Sequence, residues 1–462
     1  MIKETGDNVL EAAKKRIKWC FDNFNGVIVG FSAGKDSTVV LDIAYNYAKE
    51  NNCLDRLGIF TTDFEAAYKD TEEFTKYVFD EAYQDIQYKY WLCLPILAQN
   101  ACSLENKGNW IPFNPEEKNI WVKDFPESKY LINLNNCPWK FEDGWTDHES
   151  QEACTKYFGK LMKEKFGGKF KYNEVASLIG IRCDESLDRR LLITGSSDST
   201  IGLRLENKHW TLEDTSKTYC RVYPIYDWKA EDDFIYFAKT SIKYNHLYDL
   251  YYKAGLNLDQ MRVASPFNCQ ASSTLKFYKA IDPDKWGKMV GRVNGVNFTG
   301  MYGDTKLIGW RNCELPKKGN FTWESYTIFI LETNEKDIKE HFKKMFNTSI
   351  NYWCGNKNKE GKERGAFVDD SDINDIKNNY PNVKFHTLGK SKRYPDKTLI
   401  VFEEYPQDLS KCKNWTHLPS WKRCCVTVLK NDWHGKYMGF TPSKIEMKKR
   451  TNALKTFKEI VK

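Results

Sequence analysis

The β-branched run Val27-Ile28-Val29 gives way to a turn of small and polar residues. That turn runs directly into apolar positions spaced three and four apart: Val39, Val40, Ile43, Ala44 and Tyr47. The first pattern is that of a buried strand, the second that of a helix with one apolar face. The alternation recurs along the chain. Residues 5–22 read as an amphipathic helix leading into the first strand. Residues 56–62 read as a second strand that ends in Thr61-Thr62-Asp63-Phe64-Glu65, and a helix is expected over 70–81. Residues 86–92 alternate like a third strand, and a helix is expected over 151–166. A short apolar strand over 175–181 runs into Arg182, and a further strand (221–225) precedes a helix over 229–240. Strands alternating with helices predict an α/β fold, a doubly wound, mostly parallel sheet covered on both faces. Ligands of such sheets sit at the carboxyl ends of the strands. Three polar clusters fall there: residues 32–37, 63–65 and 182–190.

Residues 105–150 interrupt this order. They are rich in Trp, Asn and Pro and predict a loop-rich insertion, with Trp110, Trp121, Trp139 and Trp145 placed either to pack or to stack on bases. After residue 262 the pattern changes. Residues 281–312 and 320–355 mix short helices and strands, and 355–365 form a charged loop. Residues 441–462 form a basic helix with seven Lys or Arg against two Glu. The expected organisation is a first domain over 1–262 and a C-terminal α+β domain over 263–462. The terminal helix is either a solvated face or a contact for nucleic acid or a partner.

Composition adds bounds. A chain of 462 residues suffices for two or three domains, and a net charge of +7 permits an acidic partner without requiring one. The 14 Cys are scattered, none forms a C-x-x-C pair, and adjacent Cys424 and Cys425 lack a second pair at metal-ligand spacing. No signal peptide precedes the first helix, so reduced thiols in a cytoplasmic protein are expected rather than a disulfide framework. No apolar stretch approaches the ~20 residues of a membrane span.

The chemistry concentrates in residues 26–44. A strand, a tight turn and a helix N-terminus present backbone N–H groups to an anion. Lys35 adds a point charge, and Ser32 and Ser37 add hydroxyl donors. Asp36 is an acid beside a phosphate site, suited to hold a metal ion or water. A Walker loop is excluded: three residues rather than four separate Gly30 from Gly34, and Asp36 follows Lys35 where Ser or Thr is required.

The stretch Ser32-Ala-Gly-Lys-Asp-Ser37 resembles the Ser-Gly-Gly-Lys-Asp-Ser loop of the PP-loop pyrophosphatases, with Ala33 in place of the first glycine. Three further blocks resemble the phosphoadenosine phosphosulfate (PAPS) reductase family of that superfamily. Asp63 ends the second strand, where family members place an acid near the nucleotide ribose or adenine. Leu178-Ile-Gly-Ile-Arg-Cys-Asp-Glu-Ser186, followed by Arg189 and Arg190, matches the family pattern Gly-x-Arg-x-x-Glu-Ser-x-x-Arg. Val222-Tyr-Pro-Ile-Tyr-Asp-Trp228 and Tyr244-Asn-His-Leu-Tyr-Asp249 are similar to its Pro-x-x-Asp-Trp and Asn-Pro-Leu-Tyr segments, with His246 replacing the proline. Residues 288–298 and 431–440 resemble the IbrA-type PAPS-reductase-like proteins, a group often encoded beside a ParB-like partner.

The resemblance implies an adenine-nucleotide site for ATP or PAPS with Mg²⁺. Ser32, Ala33, Gly34, Lys35, Asp36 and Ser37 would surround the phosphates, and Asp63, Gly180, Arg182, Glu185 and Arg189 would complete the site. Lys35, Asp36 and Arg182 would carry catalysis, with Asp36 on the metal. Arg182 or Arg189 is expected on the wall of the crevice, oriented by Glu185. Asp63 has the alternative of capping the following turn. The resemblance does not extend to a reductase activity. The Glu-Cys-Gly-x-His segment of PAPS reductases is absent, and Cys424-Cys425 lacks the later C-x-x-C of the iron–sulfur enzymes. Cys154 and Cys183 read as small core residues. Three functions follow: ATP-dependent nucleotidyl transfer with release of pyrophosphate, a sulfonucleotide enzyme, or a non-catalytic nucleotide-binding regulator acting with a ParB-like or nucleic-acid partner.

Overall fold

The computed structural model describes residues 8–440 apart from 186, 195–202, 215–216, 269–270, 272–273, 303–313, 317–319, 356–365 and 392–395. The chain forms two compact units, Met1–Gln99 with Trp110–Asn294, and Asn100–Asn109 with Gly295–Lys462. Residues 263–294, expected in the second domain, pack with the first unit. Their charged side chains are bound there, as described below.

The first unit is built on strands β1 (Phe24–Gly30), β2 (Leu57–Thr62), β3 (Tyr88–Leu92), β4 (Leu131–Ile132), β5 (Tyr172–Ile179), β6 (Thr211–Glu213) and β7 (Tyr219–Val222). They form a seven-stranded sheet in the order β4-β3-β2-β1-β5-β7-β6. All pairs are parallel except β6–β7. The helices of this unit include α1 (Val9–Asn23), α2 (Lys35–Glu50), α3 (Lys69–Tyr77), α4 (Asp147–Phe166), α5 (Leu187–Thr194), α6 (Ala230–Thr240), α7 (Leu247–Lys253) and α8 (Pro283–Arg292).

The β-branched run of β1 is buried on both faces, as a central parallel strand requires. Val27 and Val29 share a core with Ile17 and Phe21 of α1 and Val40 and Ala44 of α2. Ile28 points the other way, into a core with Phe158 and Met162 of α4. Gly26 lets α4 approach: a Cβ there would lie 2.4 Å from Met162 Cγ. This is the doubly wound arrangement expected.

Boundaries differ where local chemistry outweighs apolar spacing. Helix α4 starts at Asp147 rather than 151, because Thr146 and Glu149 form a capping box. Strand β7 stops at Val222, and Pro224, lacking an N–H, cannot extend the ladder. Strand β5 ends at Ile179, so Arg182 lies three residues beyond it. The Trp rings of the insertion pack within the fold. Trp110 meets Phe267 edge-on at 4.8 Å, Trp121 lies 5.3 Å from Phe113, and Trp139 lies 5.6 Å from Tyr157.

The second unit holds a three-stranded antiparallel sheet of β8 (Ala366–Asp369), β9 (Phe385–Lys390) and β10 (Lys397–Phe402), with β10 in the middle. Its helices include α9 (Trp323–Glu332), α10 (Lys336–Trp353), α11 (Asp370–Asn379) and α12 (Trp421–Leu429). One core gathers Val368, Ile400 and Phe402 with Ile373 and Ile376, and another gathers Leu331, Phe342, Phe346, Cys424 and Val428. In the 431–440 stretch, Trp433 stacks on His341 at 3.7 Å. Most of the charged loop over 355–365 and the whole basic helix over 441–462 lie outside the described residues. Among the described residues no helix is long and apolar enough to cross a membrane.

Candidate functional site

The loop between β1 and α2 continues the sheet for one residue, with Phe31 N–H donating to Phe60 O at 2.8 Å. Ala33 then takes a left-handed φ of +57°, and Gly34, in extended conformation, caps α2. One hydroxyl holds the turn: Ser37 Oγ donates to Gly34 O at 3.0 Å and accepts from Ser32 N–H at 3.1 Å. The segment after α6 braces it from outside. Asn245 Nδ2 donates to Ala33 O at 3.2 Å, and Lys35 N–H donates to the Tyr248 hydroxyl at 2.8 Å. Gly180, just past β5, lies against the first turn of α2, where a Cβ would be 2.9 Å from Asp36 C and Ser37 N. Only glycine fits that approach.

Charge converges on this turn. Lys35 is 3% exposed and its Nζ donates to Asp36 Oδ2 at 2.9 Å. Arg182, 2% exposed, donates through Nε to Asp36 Oδ1 and through Nη1 to Asp184 Oδ2 at 2.9 Å. Asp233 of α6 is fully buried, with Oδ2 3.6 Å from Arg182 Nε and 3.9 Å from Lys35 Nζ. Asp233 and Asp36 share a hydrogen bond, and neither cation comes within hydrogen-bond distance of Asp233. Burial works against ionisation of Asp36, yet Lys35 and then Arg182 outweigh it and hold its carboxyl below the usual range. Burial first, and the Asp36 carboxylate second, push Asp233 well above it. Asp36 therefore carries the charge and Asp233 the proton.

Glu185 connects the arginine block. Its carboxylate pairs with Arg189 and lies 3.9 Å from Arg182 Nη2, and its carbonyl accepts from Arg262 Nη2 at 3.1 Å. Ser32–Ser37, Gly180, Arg182, Glu185 and Arg189 thus form one connected group. Asp63 belongs to another. Its carboxylate accepts from Glu65 N–H at 2.9 Å, Trp91 Nε1 at 3.1 Å and Lys123 Nζ at 2.7 Å. The turn-capping alternative describes this geometry, with a lysine of the insertion added. Lys123 also reaches Glu72 Oε1 at 2.9 Å. Burial alone would lower its pKa, but Asp63 and Glu72 raise it above the ordinary value. Beside them Glu65, fully buried, accepts from Arg292 Nε at 2.9 Å and from Val122 N–H at 2.9 Å. Lys285 pairs with Glu72 and donates to Ala67 O at 2.7 Å. Lys285 and Arg292, both on α8, join Tyr278, whose hydroxyl donates to Ala66 O at 2.9 Å, in tying residues 263–294 to the first unit.

Asp233, Asn245, Tyr248 and Arg262 were not singled out in the sequence. Asn245 and Tyr248 sit inside a recognised block, and their signal was available. Asp233 follows two other acids in an ordinary helix start, and only the fold shows that it alone points inward.

Residues 132–254 match the phosphoadenosine phosphosulfate reductase domain. Residues 255–449 match a domain of unknown function, DUF3440. Over nearly the whole chain, the uncharacterised protein YbdN of Escherichia coli (strain K12) is 26% identical across 448 residues, 96% of this chain and 93% of that protein. Among solved structures, PAPS reductase from Candida auris in its phosphate complex is 13% identical and is matched over 54% of this chain and 93% of its own, with TM-score 0.27. FMN adenylyltransferase from Candida glabrata is 12% identical over 54% of this chain, which spans 62% of that enzyme, with TM-score 0.25. U34-tRNA thiolase NcsA from Methanococcus maripaludis is 10% identical over 68% of this chain and 83% of its own, with TM-score 0.27.

Proposed function

We propose that the first unit binds the polyphosphate of ATP at residues 32–37 and transfers the nucleotidyl group to an acceptor with release of pyrophosphate. The convergence of Lys35 and Arg182 on Asp36, at the first turn of α2, carries this reading. An anion there meets the positive end of a helix and two cations. The β- and γ-phosphates would lie against the loop. As an acceptor attacks the α-phosphorus in line, the bond to the bridging oxygen breaks and its electron pair leaves on pyrophosphate. Lys35 and Arg182 would take up that charge. Catalysis is then positioning and charge stabilisation rather than covalent chemistry by the protein.

Asp36 and Asp233 fit Mg²⁺, which takes one or two carboxylates together with substrate phosphates. Their side chains adjoin, and the buried Asp233 carboxyl would give up its proton to hold the ion. Bound there, the ion would offset phosphate charge.

Burial pushes Cys183 up to about 11 and Cys424 up to about 12, and holds Cys154 well above its ordinary value, so none of these is a thiolate at neutral pH. A sulfonucleotide ligand is the second reading, favoured by the guanidinium groups of Arg182 and Arg189 around Glu185. Incubation of the protein with Mg²⁺ and ATP, PAPS or adenosine phosphosulfate, with products identified by mass, separates the two. Pyrophosphate from ATP is expected. Sulfite lost on Cys183→Ser would overturn the transfer reading.

A further inference from the structure

Arg262 belongs to none of the blocks that marked the loop, yet the fold brings it there. The next residue, Val263, has its Cβ 3.9 Å from the position of a Cβ on Gly34. The Arg262 guanidinium donates to the Glu185 carbonyl, and Glu185 in turn pairs with Arg189. Arg189 is half-buried, and burial first and the charge of Arg262 second lower its pKa. Two guanidinium groups thus stand close together, where mutual repulsion disfavours the fold unless something offsets it. Among the described residues Glu185 pairs with Arg189 and lies 3.9 Å from Arg182, and the Asp36 and Asp184 carboxylates also act on Arg189. Arg262 also walls a narrow recess with Tyr68, Thr71, Tyr251 and Tyr278.

We propose that Arg262 and Arg189 form a second anion subsite beside the 32–37 loop, which binds a phosphate or sulfate group of the ligand other than the one the loop holds. This rests on the loop being a nucleotide site. Paired guanidinium forks match a tetrahedral oxyanion, and the anion removes the repulsion between them. The group bound has two sources, the terminal phosphate of a triphosphate or the 3′-phosphate of a sulfonucleotide. Arg262 then decides between ligands that differ by one such group.

The test is calorimetric titration of the full chain with ATP, ADP, AMP, PAPS and adenosine phosphosulfate, in wild type, Arg262→Gln, Arg262→Lys and Lys35→Ala. Arg262→Gln keeps a hydrogen-bond donor for the Glu185 carbonyl and drops the charge. It is expected to weaken one ligand about tenfold while AMP is unchanged. Loss of the preference for ATP over ADP assigns the subsite to the triphosphate. Loss of the preference for PAPS over adenosine phosphosulfate assigns it to the 3′-phosphate. Arg262→Lys keeps the charge without the fork and loses less, about threefold, which reads the subsite even if the Gln variant folds poorly. Unchanged affinities in both Arg262 variants, with binding lost in Lys35→Ala, would overturn the subsite and leave the loop reading standing. Unchanged affinities in all three would overturn both.

Discussion

Two clusters of acids and bases stand after neighbouring strands, one past β1 and one past β2, and they are completed differently. Past β2, Asp63, Glu65 and Glu72 are answered by Lys123, Arg292 and Lys285, and by the backbone N–H of Glu65 and Val122. Past β1, Asp36 holds two cations, while Asp233 is buried with its hydrogen bond to Asp36 and with both cations beyond hydrogen-bond distance. The two clusters have similar residue types. What separates them is pairing: the first ties its acids to cations and fastens the insertion and α8 to the sheet, whereas the second leaves Asp233 outside the reach of either cation, the feature on which the proposed ligand site rests.

The largest test breaks the saturated cluster. Arg292→Ala leaves the fully buried Glu65 carboxylate without its cation, which should cost about 3–5 kcal/mol in denaturant unfolding. Ligand affinity of the folded protein should hold. A loss below about 1 kcal/mol would mean the cluster does not fasten α8.

A third acidic pair sharpens the comparison. Glu174 of β5 and Glu213 of the edge strand β6 are both buried in the same sheet. Burial first and Glu213 second raise Glu174 from an ordinary 4.5 to about 7. A group whose folded pKa is raised favours the fold fully below its unfolded pKa and loses that contribution as pH rises through the folded value. Stability should therefore fall between about pH 4.5 and 7.5, by about 1–3 kcal/mol. Glu174→Gln should flatten that fall in thermal melts across the range. An equal slope in both proteins would contradict the assignment.

The smallest effect is in the loop itself. Ala33 holds φ +57°, a left-handed conformation that costs a non-glycine residue about 1–2 kcal/mol. Ala33→Gly relieves it, less the extra freedom glycine has when unfolded, for a net gain of about 0.5–1 kcal/mol in chemical denaturation. A net loss would show that the Ala33 methyl packs for more than its backbone costs.

Much of this was legible before any coordinates. The β-branched run, the glycine turn and the following apolar spacing define β1, the loop and α2, since each rests on local pattern. Arg182 and Glu185 were legible as a block, and the fold adds that they meet Asp36. Asp63 is legible as a nucleotide ligand or as a cap of the following turn, but position along a strand does not reveal that Lys123, 60 residues later, reaches back to it. The break in pattern after 262 does not coincide with the boundary between the compact units, which falls after Asn294. Lys285 and Arg292 bind carboxylates of the first unit, a long-range pairing with no local signature. Asp233 and Arg262 were hidden for the same reason.

The central claim is that the incomplete cluster takes the ligand and the saturated one does not. It is tested most directly by titrating ATP with Mg²⁺, and PAPS, into Lys35→Ala and Lys123→Ala. Lys35→Ala should lose about 1.5–3 kcal/mol of binding, roughly ten- to a hundredfold, while Lys123→Ala, though less stable, should bind within about threefold of wild type. Wild-type affinity in Lys35→Ala, or a loss confined to Lys123→Ala, would contradict it.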